Sequence, residues 1–253
     1  MGYREVILTG THIGAHGQGL ELLIQRILTE TGVERLRLSS LKPQDITPGL
    51  LALWHDERLC HHLHLPLQSG SDSVLRRMRR RYSVADYERA VAMARETIPD
   101  VAITTDIMVG FPSETDEYFE ESYRFCQRMG FANIHVFPYS VRPGTLAAVM
   151  PGKVGERVKR ERSGRILALA RESAGRFRQR FLGRTMMVLW EKEVTEGVWV
   201  GLTDNYIRVF TRSSEPLRNR VAEAKLVARE NRIPPFEKEG LPEPSQVECF
   251  AAM

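Results

Sequence analysis

The 253-residue sequence has little cysteine: Cys60, Cys126 and Cys249, each standing alone. No pair of them has the short spacing of a zinc or iron–sulfur ligand set, so they read as buried small hydrophobes or inert thiols and no metal ligand is assigned. Long apolar runs are also missing. Stretches such as Ile107 to Phe111 fall far short of the roughly 20 residues of a membrane helix, and the start lacks a cationic segment followed by an apolar core and cleavage site. No strand-like run is followed by the glycine fingerprint of a dinucleotide site, and no internal repeat is visible. A soluble, cytoplasmic protein without membrane contact is the expectation.

The chain has ordinary apolar and charged fractions, and its formal net charge of +4 is carried largely by arginine. This is compatible with a phosphate-bearing partner but weak as a signal by itself. The length suits one large domain or a domain plus a module. Short β-branched or leucine-rich runs recur at 5–9, 35–39, 62–67, 102–110 and 133–138. Amphipathic helical stretches at 20–28, 48–55, 84–96 and 116–129 lie between them, several opened by Thr47, Ser83 or Thr115 as caps. Strict alternation predicts an α/β fold with a parallel sheet; an open doubly wound sheet and a (β/α) barrel both fit, and the barrel is favoured.

After the last of these strands, residues 139–145 form a turn-rich loop, and a long charged helix is expected over 153–180. From Gly183 the period becomes strand-like at 185–190, 198–202, 206–210 and 221–226, which predicts a small all-β module of OB-like size. The proline- and glutamate-rich tail from Arg229 reads as disordered. The expected division is a partial barrel over 1–150, a helical connection over 151–182, the β module over 183–228 and the tail over 229–253.

Ligands of parallel α/β folds gather at the carboxyl ends of the strands. Five such ends are polar or glycine-rich: Thr9 to His12, Ser39 to Pro43, Pro66 to Asp72, Gly110 to Thr115 and Phe137 to Ser140. Any one of them could be only turn and cap residues; five in succession are harder to read that way. His62 and His64 fall within a strand, where a satisfied sheet-face histidine is the commoner role. Asp106, inside an apolar run, must be paired or face a ligand cavity. Arg76, Arg77, Arg79, Arg80 and Arg81 crowd into one short run, suited to a phosphate or carboxylate and equally to a solvated helix end.

Three motifs in order, LHLPLQSGSDSVLRRMRRRY, ITTDIMVGFPSET and IHVFPYSVRPGT, closely resemble the radical S-adenosylmethionine methylthiotransferases. GRTMMVLWEKEVTEGVWVGLTDNYIRVF resembles their TRAM RNA-binding module, so the likeness covers about residues 3–227. RLRLSSLKP and GLTDNYIRVF are most similar to the branch acting on N6-threonylcarbamoyladenosine of tRNA, next to the anticodon, rather than the isopentenyladenosine branch.

The resemblance implies a partial radical-SAM barrel with S-adenosylmethionine and [4Fe–4S] clusters as cofactors, tRNA as partner, and addition of a methylthio group to C2 of the adenine. It places Gly10, Thr11 and His12 near the methionine amino group, and Ser39, Gln68 and Ser69 near the ribose and methionine. Asp106 joins the cofactor-binding set, Gly110 to Glu114 form the adenine-side loop, and Phe137 and Tyr139 border the adenine. Arg79, Arg81, Arg142, Arg184, Tyr206 and Arg208 would meet RNA. Trp199 could stack a base, but a barrel-core role is favoured. The family's CxxxCxxC is absent from the sequence. A fragment inactive by itself, expected to be monomeric and with an exposed first strand, is therefore the leading reading. A non-catalytic tRNA-binding remnant and a sister methylthiotransferase acting on isopentenyladenosine are the alternatives, and an ordinary metabolic barrel enzyme carries little weight.

Overall fold

The computed structural model describes residues 2–15, 17, 19–228 and 249–252. Five parallel strands, β1 (Glu5–Leu8), β2 (Arg35–Leu38), β3 (His62–His64), β4 (Ala102–Val109) and β5 (Asn133–Pro138), lie side by side in sequence order. The β1–β2 pair joins the other three through bridges from Leu36 to Leu59 and Ser40 to His64. The helices α1 (Leu20–Glu30), α2 (Pro48–Ala52), α3 (Asp72–Arg77), α4 (Val84–Thr97) and α5 (Asp116–Met129) connect the strands. Thr47, Ser83 and Thr115 each accept a backbone N–H from the first turn of α2, α4 and α5, the capping that the sequence predicts.

Side chains alternate across a strand, so one face of this array is apolar and the other polar. Leu36, Leu38, Leu63, Ile103, Ile107 and Ile134 are buried in the main core beneath the helices. Glu5, Arg35, Arg37, His62, His64, Thr104, Asp106 and His135 occupy the opposite registers and line the barrel lumen. Among the described residues β1 pairs with β2 alone, and Val6 and Ile7 are 47% and 56% exposed. This fits the expected incomplete barrel with an exposed edge.

Beyond β5 come α6 (Leu146–Val149) and the long helix α7 (Glu156–Gln179). The described strands β6 (Thr185–Thr195), β7 (Val198–Thr203), β8 (Arg208–Arg212), β9 (Arg220–Ala228) and β10 (Cys249–Ala252) close into a five-stranded barrel. Trp190, Trp199, Val209 and Leu226 fill it, joined by Phe177 and Phe181 from the end of α7 and its sequel. Trp199 is thus a core residue. Gly201 in β7 leaves no room for a Cβ, which would lie 2.6 Å from the Leu189 carbonyl oxygen.

Two expectations need correction. The disordered tail does not include Cys249–Ala252, which pair with both β8 and β9; an apolar end that closes a barrel gains two sets of backbone hydrogen bonds. The remainder of the tail, 229–248 and Met253, lies outside the described residues. Tyr206 precedes β8 instead of opening it, because Tyr206 takes a left-handed turn (φ 66°). The sequence pattern also gives no helix at 72–77, where α3 forms by burying Val74 and Leu75.

Candidate functional site

The carboxyl ends of the strands meet at one end of the barrel. At the end of β2, Ser39 donates its backbone N–H to the Leu8 carbonyl, while its Oγ is buried without a hydrogen-bond partner. His12 lies 3.1 Å through Nδ1 from Lys42 Nζ and 3.5 Å through Nε2 from Asp45. Thr11 and Gly10 are exposed beside it. Gln68 sits in left-handed backbone (φ 70°) yet exchanges backbone hydrogen bonds with Asp106 and Met108, so the chain leaving β3 crosses the top of β4. Ser69 is fully buried and accepts from the Ser71 N–H. Gly70 is pressed against α5, where a Cβ would come 2.8 Å from Ser122 Cα.

The 110–114 loop is held from two sides. Glu114 accepts the Gly110 N–H at 2.7 Å and an Arg162 N–H at 2.6 Å in a pair almost closed to solvent. Burial pushes the Glu114 carboxyl up, and the Gly110 N–H and Arg162 counter this only in part. Lys159 donates to the Tyr139 carbonyl at 2.8 Å and packs its stem where a Gly110 side chain would stand. Gly110 also has φ 74°, so glycine is required there twice over. Tyr139 meets Phe111 edge to face, and its hydroxyl is buried without a partner. Phe137 is 51% exposed at the end of β5.

Lys159 and Arg162 were not readable as site residues from the connecting helix's role. The available signal is their spacing: with Ile166, Leu169 and Ser173 they form one buried stripe of α7, so two cations occupy positions that a helix reserves for its core face. Lys42, within the second polar strand end, carries no pattern that singles it out as the neighbour of His12.

Within the lumen, Asp106 lies 3.4 Å from His64 Nε2, and His62 and His64 both reach Thr104 Oγ1 at 2.9 Å. Burial lowers the His62 pKa well below its ordinary range, with neighbouring cationic groups adding to it; burial also lowers His135. Asp106 thus has His64 as its neighbour within the protein while remaining partly exposed.

The opposite, amino-terminal end of the lumen is closed by the β module. Arg37 grips the Glu5 carboxylate at 2.7 and 3.1 Å and also donates to the carbonyls of Asp204 (2.8 Å) and Thr203 (3.2 Å). Arg35 adds an ion pair to Glu5 at 2.9 Å. The Tyr206 ring stacks on His62 with centroids 4.4 Å apart, and the Arg37 guanidinium lies 5.2 Å from its centre. Tyr206 is thereby tied to the barrel rather than grouped with the other RNA candidates. Arg184 pairs with Asp100 at 2.7 Å, Arg208 is exposed near Glu191, and Arg142 is exposed in the loop after β5.

A pocket of about 500 Å³ opens beside Met108 and Phe111, under Leu146, Val149 and Met150, with Arg77, Arg79 and Arg80 at its margin. Arg79 thus lines a pocket at the carboxyl end of the barrel, whereas Arg81 does not. Ser113 holds the far wall by donating to the Pro151 carbonyl at 3.0 Å.

Comparison with known proteins places this geometry. The Radical SAM superfamily profile matches residues 1–126. The threonylcarbamoyladenosine tRNA methylthiotransferases MtaB of Bacillus subtilis and Thermotoga maritima are 36% and 38% identical, over 89% and 100% of this chain and 52% and 56% of theirs. The chain is thus similar to radical SAM tRNA methylthiotransferases along most or all of its own length. It spans about half the length of these curated relatives. The tRNA-2-methylthio-N(6)-dimethylallyladenosine synthase of Caldicellulosiruptor saccharolyticus is 40% identical over 74% of the chain and 41% of its own length. In fold, Escherichia coli coproporphyrinogen III oxidase, a radical SAM enzyme, superposes with TM-score 0.56 at 13% identity, covering 79% of this chain and 54% of the oxidase.

The family implies two cofactors, and the residues differ in how they suit each. The orphaned hydroxyls of Ser39 and Tyr139, set among glycine-rich strand ends, suit a polar ligand such as S-adenosylmethionine. The cysteines do not suit an iron–sulfur cluster: burial pushes Cys60 and Cys249 up to about 11 and Cys126 up to about 12, and the three lie in separate elements. Among the described residues no three potential ligands gather. No helix of the described residues is long and apolar enough to cross a membrane.

Proposed function

We propose that this chain forms the S-adenosylmethionine- and tRNA-binding part of a methylthiotransferase that modifies C2 of N6-threonylcarbamoyladenosine next to the anticodon. The observation that carries this is the pair of buried, unpartnered hydroxyls, Ser39 and Tyr139, at the end of a barrel with the family's motifs. When bound, S-adenosylmethionine supplies the methyl group. Ser39, Gln68 and Ser69 orient its ribose and methionine, His12 with Gly10 and Thr11 receives the amino group, and Asp106 faces the same end of the lumen. Gly110 presents its backbone beside the adenine because Glu114 fixes the loop, while Phe137 and Tyr139 exclude water from the ring.

The β module acts as an OB-like TRAM unit that tracks phosphates through Arg208, with Arg142 and Arg81 of the barrel as further cations left toward solvent. No step through a cluster is assigned to this chain, since its thiols are separated and held protonated. That same donor set favours a second reading, tRNA holding without catalysis. A gel shift with a threonylcarbamoylated anticodon stem-loop tests both: binding that weakens steeply with salt supports them, and no binding sinks both. Formation of 5′-deoxyadenosine after reconstitution with iron and sulfide would overturn the expectation that the chain is inactive alone.

A further inference from the structure

We propose that the pocket beside Met108 is the subsite for the N6 substituent of the modified adenosine, and that it is built for a substituent ending in a carboxylate. This deepens, and rests on, the tRNA methylthiotransferase reading. The pocket, about 500 Å³, has the size of a small-molecule site, with an apolar lining that includes Met108, Phe111 and Val149. Val149 is 82% exposed, so this wall spends apolar surface on water until something covers it.

The rim is cationic. Arg77, Arg79 and Arg80 line the pocket, and Arg77 lies 6.0 Å from the Tyr118 ring centre. Among the described residues Arg79 and Arg80 have no carboxylate partner. Arg76 of the same run instead turns to Ser73 Oγ, so the arginines are not equivalent parts of a solvated helix end.

The backbone points the same way. Helix α3 ends in a Schellman turn, with the Arg80 N–H reaching back to the Leu75 carbonyl and Arg79 at φ 55°. Glycine is the residue that folding favours at that position, so the arginine is there against local backbone preference. A purely apolar N6 chain would cover the floor and leave the guanidinium groups unpaired. A carbamoyl-threonine group offers a small apolar body for the floor and a carboxylate for the planar guanidinium fork.

The test uses the whole chain with two free nucleosides, N6-threonylcarbamoyladenosine and its carboxyl methyl ester, and with anticodon stem-loops carrying either group or N6-dimethylallyladenosine. The acid is expected to bind about tenfold more tightly than the ester in both formats, the scale of one charge-assisted contact. R79G/R80Q should abolish that preference, and R79G alone should reduce it without lowering Tm, since glycine suits the turn. Equal binding of acid and ester, undetectable binding of both nucleosides, or a preference that survives R79G/R80Q overturns the proposal. If stem-loops bind without discrimination, the arginines serve phosphates, and the subsite falls while the tRNA reading stands. If nucleosides discriminate but no stem-loop binds, the subsite stands and the tRNA reading falls.

Discussion

The two ends of the barrel lumen use polar residues in opposite ways. At the amino-terminal end, Arg35 and Arg37 share the Glu5 carboxylate, and the β module adds carbonyls to Arg37 and sets the Tyr206 ring on His62. At the carboxyl end the buried ion pair of Glu114 with Arg162 pins a loop, while the hydroxyls of Ser39 and Tyr139 have no partner. A charge network bridged by ion pairs and module carbonyls joins the β module to the barrel; buried hydroxyls left unsatisfied carry a standing cost that a ligand can remove. One polar lumen thus holds a structural clamp built of ion pairs and carbonyls at one end and unpartnered hydroxyls at the other, the end proposed to bind ligand.

The largest expected effect comes from breaking the pinned loop. Arg162→Ala would strand the buried Glu114 carboxylate and destabilise the chain by about 3–5 kcal/mol, read by urea unfolding. Next is the clamp: Arg37→Ala removes charge-assisted bonds to Glu5 and to two module carbonyls, and a loss of about 2 kcal/mol is expected because Arg35 still holds Glu5. Limited proteolysis should then cut between barrel and module without first degrading either.

Acid should loosen the same end. Burial raises the Glu5 carboxyl, but the Arg37 hydrogen bond and the charges of Arg37 and Arg35 outweigh it, so its pKa lies below the ordinary 4.5. Its contribution is present above 4.5 and is lost as pH falls through the lower folded value. Glu191, raised by burial and then by the Glu5 charge, acts in the opposite sense, its contribution fading as pH rises. Small-angle scattering on acidification should show the module separating; a particle whose shape holds until global unfolding would count against the clamp.

The smallest effect distinguishes the ends most cleanly. Tyr139→Phe deletes an unpartnered hydroxyl and should leave stability unchanged or raise it by up to about 1 kcal/mol, while weakening S-adenosylmethionine binding in calorimetry. A marked loss of stability would mean that the hydroxyl is structural.

Much of the fold was legible because it depends on local periodicity. The five barrel strands, the caps Thr47, Ser83 and Thr115, and the change of period after Gly183 all follow from residues close in sequence. What escaped depends on distant partners. Cys249–Ala252 becomes a strand only because β8 and β9 leave a gap for it, and Tyr206 loses its freedom only because His62 stands opposite. Lys159 and Arg162 look like solvent-facing charges until α7 is laid on the 110–114 loop.

By itself the sequence determined the succession of elements, the apolar face of each strand and the motifs at the strand ends, since periods of 2 and 3.6 residues and cap chemistry act within a few residues. Tertiary structure decided which polar groups found partners. Pairing of a buried charge or hydroxyl depends on atoms brought from far along the chain to within about 3 Å, and no local pattern encodes that meeting.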